Sequence, residues 1–169
     1  MKRLAIATLL LAAVLVQVTW APRFTVAGVF PNLALVAVIA ITWTAGVRQG
    51  MVWACVAGLM LDLTAPGPIG PHAVALLAGS YLTGFWARNL DRESVVQPVI
   101  AAAVSTAAYS LVLVVVDEML TLPVPSFGIA AQLVIAACVY NAALMPFAMW
   151  VARKVHAPVT RPGFPKVAV

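Results

Sequence analysis

The stretch SVVQPVIAAAVSTAAYSLVLVVV, residues 94–116, carries no charged side chain. It is long enough to cross a bilayer as an α-helix, since about 20 residues at 1.5 Å rise span roughly 30 Å of hydrocarbon. Working outward, uncharged runs also occupy 4–22, 24–47, 63–87 and 119–152, with a shorter one at 49–61. Ten basic and five acidic residues mark the breaks, and only Asp62 falls where the chain still reads apolar. A composition 64% hydrophobic and 9% charged, with mean hydropathy +1.05, is far from that of a soluble domain. The runs must be helical, because lipid offers the backbone no hydrogen-bond partner. The period-2 alternation of a membrane β-barrel is missing.

Trimming the runs at their turn signals predicts six transmembrane helices at 4–21, 29–47, 49–65, 72–88, 95–116 and 128–151. The fold class is therefore an all-α polytopic membrane protein. The third helix is short, about 25 Å, and would borrow the apolar stem of Arg48 by snorkelling or thin the bilayer locally. Lys2, Arg3, Arg48, Arg88, Arg92, Arg153, Lys154, Arg161 and Lys166 fall on one side, leaving Arg23 opposite. By the positive-inside rule both termini lie in the cytoplasm, an N-in/C-in arrangement. Trp43, Trp53, Trp86 and Trp150 are expected at the cytoplasmic headgroup layer and Trp20 at the outer one. The net charge of +5 points to anionic lipid on one face, with no nucleic acid. Lys2-Arg3 followed by an apolar run and Thr19-x-Ala21 resembles a cleavable secretory signal, but the run is longer than a signal core and is read as a retained span.

Residues 1–155 are expected to form a single transmembrane bundle and 156–169 a flexible cytoplasmic tail, with a compact charged turn at 88–93. Cys55 and Cys138 read as small buried hydrophobes and not as a disulfide or metal pair. Neither H-E-x-x-H nor G-x-S-x-G occurs, and only His72 and His156 could serve as imidazole bases. No catalytic, cofactor or metal site is expected.

Small residues mark close helix contacts in membranes. Gly46, Gly50, Ala54, Gly58 and Asp62 recur every four residues. They suggest a winding groove that begins with a G-x-x-x-G and serves either internal packing or a partner. Gly79, Ser80, Thr83 and Gly84, and Ala101, Ser105 and Ala108, read as internal packing. Asp62 has two readings. It could hold a cation or proton, or accept hydrogen bonds from the Pro/Gly loop 64–71, tying down the Gly67 or Gly70 amide or capping the next helix near His72. If it only accepts, Asp62→Asn should be mild. Asn141 and Gln132 should hydrogen-bond across helices.

Pro31-Asn32-Leu33, then Gly46-x3-Gly50, Gly58-Leu59-Met60-Leu61-Asp62, a Pro/Gly loop reaching Gly70, and Gly79-x-Tyr81 together resemble the rod-shape-determining MreD family of the bacterial inner membrane. Asn32 stands where many members carry Asp. The resemblance covers roughly 1–155 and implies a non-catalytic scaffold of the cell-elongation machinery that helps control peptidoglycan synthesis. Its implied partners are the bitopic MreC, the actin-like MreB filament and the wall-building glycosyltransferase and transpeptidase pair. It also implies a helical fold similar to the substrate-binding subunits of energy-coupling-factor vitamin transporters. From it, Pro31, Asn32, Gly46, Gly50, Gly58, Asp62, Gly70, Gly79 and Tyr81 are candidates for structural or partner-contact roles. The alternative is a substrate-capture subunit of a vitamin-type transporter, with a ligand pocket near the outer ends of spans three and four.

Overall fold

Proline and glycine mark several of this chain's helix ends, while Pro146 lies inside the last helix. The computed structural model describes residues 2–20, 23, 29–65, 67–89, 94 and 96–156. It contains α1 (Lys2–Thr19), α2 (Leu33–Ala45), α3 (Val47–Thr64), α4 (Pro71–Asn89), α5 (Val96–Met119) and α6 (Phe127–His156), with no strand among these elements. Pro71 opens α4 where a missing N–H costs nothing, and Pro98 sits in the first turn of α5 for the same reason. The single residue between α2 and α3 is Gly46, at φ +94°, a backbone state that L side chains rarely adopt. Gly46 therefore lies outside α3, and the expected helical G-x-x-x-G of Gly46 and Gly50 does not form. The loop residues 90–93, most of the charged turn expected at 88–93, and the tail from 157 onward lie outside the described residues.

The arrangement is five helices around one. Contacts run α1 to α3, α3 to α4, α4 to α5, α5 to α6 and α6 back to α1, while α2 touches all the others. Every residue of α2 from Ala34 to Trp43 is buried. Its composition anticipates this, being apolar nearly all round, as befits a helix set among others. It is also the shortest element, 13 residues against the expected 29–47, about 20 Å long. A helix enclosed by its neighbours is released from the need to match the hydrocarbon thickness. Two helices, Val96–Met119 and Phe127–Val155, are by themselves long and apolar enough to cross a membrane; Leu4–Thr19 and Leu33–Ala45 are apolar but shorter.

The molecule is apolar on its outside and polar at selected points within. Leu11, Leu63, Phe85, Leu111, Ile135 and Val139 are exposed, while Gln17, Thr42, Asp62, Ser80, Thr83, Ser105, Thr106 and Asn141 are buried. Interhelical hydrogen bonds use these interior groups. Thr42 meets Ser80 at 3.0 Å between α2 and α4, and Thr83 meets Ser105 at 2.9 Å between α4 and α5. Ser105 also donates to the Gly79 carbonyl at 3.2 Å. In lipid such bonds and close packing replace the hydrophobic drive, each contributing about 1 kcal/mol.

The tryptophans divide. Trp20 and Trp150 are exposed near opposite ends of the bundle, whereas Trp43 is 1% exposed. The headgroup-layer expectation for Trp43 fails because neighbouring helices bury α2 from Ala34 to Trp43. Its indole Nε1 is buried without a partner among the described residues.

Candidate functional site

Asp62 lies at the C-terminal end of α3 and is 3% exposed. The next helix begins Gly70-Pro71, so its N-terminal amides receive no capping side chain from their own segment. Asp62 supplies the acceptors from outside. One oxygen, Oδ1, accepts from the His72 amide at 2.9 Å and from His72 Nδ1 at 3.0 Å. The other, Oδ2, accepts from the Gly70 amide at 3.0 Å and the Ala73 amide at 3.2 Å. A carboxylate at a helix N-terminus is favoured by the orphan amides and the dipole together. Because a carboxylate only accepts, His72 Nδ1 is the donor in their contact, leaving Nε2 for other uses. Gly70, at φ +129°, gives the loop the backbone state that brings its amide to Asp62.

A second network meets at the start of α2. The Asn32 side chain caps the helix by accepting from the Leu35 amide at 2.9 Å. The Asn32 amide donates to Asn141 Oδ1 at 2.9 Å, and Asn141 Nδ2 donates to Thr106 Oγ1 at 3.0 Å. Gln17 of α1 accepts from the Ala34 amide at 2.8 Å. Three helices thus satisfy the top of α2, and Asn141 is the residue that ties it to α5 and α6. Tyr109, buried on α5, lies between the two networks and faces the His72 ring edge-on at 6.3 Å between centroids.

Above these groups lies an open cavity of ≈ 400 Å³. Its polar floor is Gln17, Asn32, His72, Tyr109, Thr106 and Asn141, its walls are Leu113, Val114, Leu133, Val134 and Ala137, and Asp117 and Pro125 stand near its rim. The cavity follows from helix lengths. From Asn141 to the start of α6 is about 21 Å, and from Tyr109 to the end of α5 about 15 Å, so both run well past the top of the short α2. Of the α3 and α4 ends, where a ligand pocket was expected, this cavity includes only His72 at the start of α4, and α5 and α6 supply the walls.

Not all sequence-nominated residues come together. Asp62, Gly70 and Asn32 belong to the two networks. Pro31 precedes the Asn32 cap, half-buried. Gly50 and Gly58 form a seam with neighbouring helices: a Cβ on Gly50 would strike Thr42 and Ser80, and one on Gly58 would strike the backbone of Ala73. Gly79 packs against Leu35 and the Ser105 carbonyl. Tyr81 is 59% exposed on the outside of the bundle, away from the cavity. Gln132 is exposed and makes no cross-helix hydrogen bond among the described residues, whereas Cys138 is half-buried and donates to the Ala103 carbonyl at 3.3 Å. Sequence reading missed Tyr109, Thr106 and Gln17 because a hydroxyl or amide within an apolar run gives no sign of which way it faces. Tyr109 and Thr106 are three residues apart, a spacing that places two polar groups on one helix face.

These features define a class: an all-helical membrane protein most of whose interior polar groups are consumed in capping and cross-helix ties, with a cavity at one end. A family model described as rod shape-determining protein MreD matches residues 2–155. The chain belongs to that family, a membrane component of the Mre cell-shape system and not a known enzyme family. No curated protein and no solved structure matches the chain.

Proposed function

We propose that the protein is a non-catalytic multi-pass scaffold of the bacterial inner membrane that binds MreC through the cavity at the outer end of its bundle. Family membership supports a role in rod shape determination. The positive-inside distribution supports placing the cavity on the outer face, where MreC carries its large domain. The observation that carries the docking reading is the lining. Polar groups at the floor are already oriented by mutual hydrogen bonds, while the walls are aliphatic and open to one side. Preorganised polar anchors beneath an apolar rim suit a partner segment inserting its side chains. MreB and the wall-building glycosyltransferase and transpeptidase pair would then be reached from opposite faces of one small bundle, with residues 1–155 acting as a unit.

The cavity's size also keeps a second reading, capture of a small vitamin-type molecule for a transporter. Purification in mild detergent separates the two. The scaffold reading expects MreC to co-purify, and Ala130→Trp or Ala137→Trp to reduce that recovery at least tenfold without lowering the melting temperature. Full recovery of MreC with both variants would sink the docking site. A small molecule recovered with an ATPase pair would instead favour transport.

A further inference from the structure

The ring around α2 is not sealed where α1 meets α6. These helices touch, yet a groove of ≈ 300 Å³ opens between them and reaches α2. Alanines from all three helices open it, Ala12 and Ala13 of α1, Ala148 and Ala152 of α6, and Ala37 and Ala40 of α2, and larger aliphatic side chains with Phe147 complete its lining. Almost nothing polar lines it, so water gains nothing by entering. A single polymethylene chain fits, and the groove runs about 12 Å along α6 from Leu144 to Ala152, within the ~15 Å depth of one leaflet.

The end of the groove near Ala152 carries a cation. Phe147 lines the groove and stacks on Trp150 at 6.1 Å between centroids, and Lys154 Nζ sits 5.1 Å from the Trp150 ring centre. Lys154 follows Phe147 by seven residues, so it continues the same helix stripe about two turns further on. The indole holds the ammonium at the level where the apolar slot ends, and the ring face stabilises it there.

We propose that the α1–α6 groove is a binding site for an anionic phospholipid of the inner leaflet, one acyl chain lying over Ala37 and Ala40 and the headgroup phosphate meeting Lys154. This rests on the reading that places the C-terminal end of α6 in the cytoplasm. The test is native mass spectrometry of the full chain in detergent, titrated with phosphatidylglycerol or phosphatidylethanolamine. One phosphatidylglycerol should stay bound per chain. Ala12→Phe, on the exposed rim of the groove, and Ala148→Phe, on the opposite wall, should each remove it. Lys154→Gln should lower the preference for phosphatidylglycerol over phosphatidylethanolamine about fivefold, the ~1 kcal/mol of one basic residue at an anionic surface. An unchanged lipid count in Ala12→Phe, an unchanged preference in Lys154→Gln, or loss of a second protein copy in place of lipid would each overturn the site. MreC recovery is read at the opposite end of the bundle, so either result can fail without the other.

Discussion

Asp62 has both oxygens committed to N–H donors, two at each. This reverses an expectation from sequence. Asp62→Asn keeps one acceptor oxygen but turns an NH2 group toward two donors, whichever way the amide is flipped. It should therefore destabilise the protein by about 1–3 kcal/mol, the cost of buried polar groups left unpaired. Thermal unfolding in detergent measures this; a melting temperature equal to the parent's would show that the α4 cap is replaceable. Asn141→Ala should cost less, about 1 kcal/mol, since it removes two cross-helix bonds whose partners lie beside the open cavity. That Asp62 had a special role was legible, because a lone carboxylate in an apolar run stands out. The geometry was not, since which oxygen meets which amide depends on how the loop after α3 folds back.

At the scale of elements, the seam between α3 and α4 is set by absent side chains. Gly58 lies against the Ala73 backbone, which cannot move without displacing the very amide that Asp62 accepts. Gly58→Ala should cost about 1–3 kcal/mol, as overpacking does. Gly128→Ala, where an added Cβ meets nothing within 4 Å, should stay within about 0.5 kcal/mol of the parent. Equal melting temperatures for these two variants would remove the close approach of α3 to α4. The four-residue spacing of Gly50, Ala54 and Gly58 announced a tight contact, but not that the neighbour belongs to the same chain. Spacing reports a groove and carries no information on what fills it.

For the whole molecule, the five-around-one arrangement makes α2 the core and leaves its N-terminus as part of the floor of the cavity. An N-in/C-in bundle should place reporter fusions at both termini on the cytoplasmic side; fusions both reporting the outer side would invert the cavity and the lipid groove together, and fusions reporting opposite sides would overturn the six crossings. The sequence by itself determined the helical class, the six elements and the family, because charge-free length and turn residues are local properties that the bilayer reads directly. The start of α4 at the Pro/Gly loop reaching Gly70 and Pro71 was written there too, whereas the break at Gly46 was not. Only the tertiary structure decided that α2 is enclosed, that Trp43 lies in the core and not at an interface, and that Tyr81 faces outward. Those outcomes depend on which helices touch. In a chain apolar on nearly every face, hydrophobic patterning no longer distinguishes a side turned to lipid from a side turned to protein.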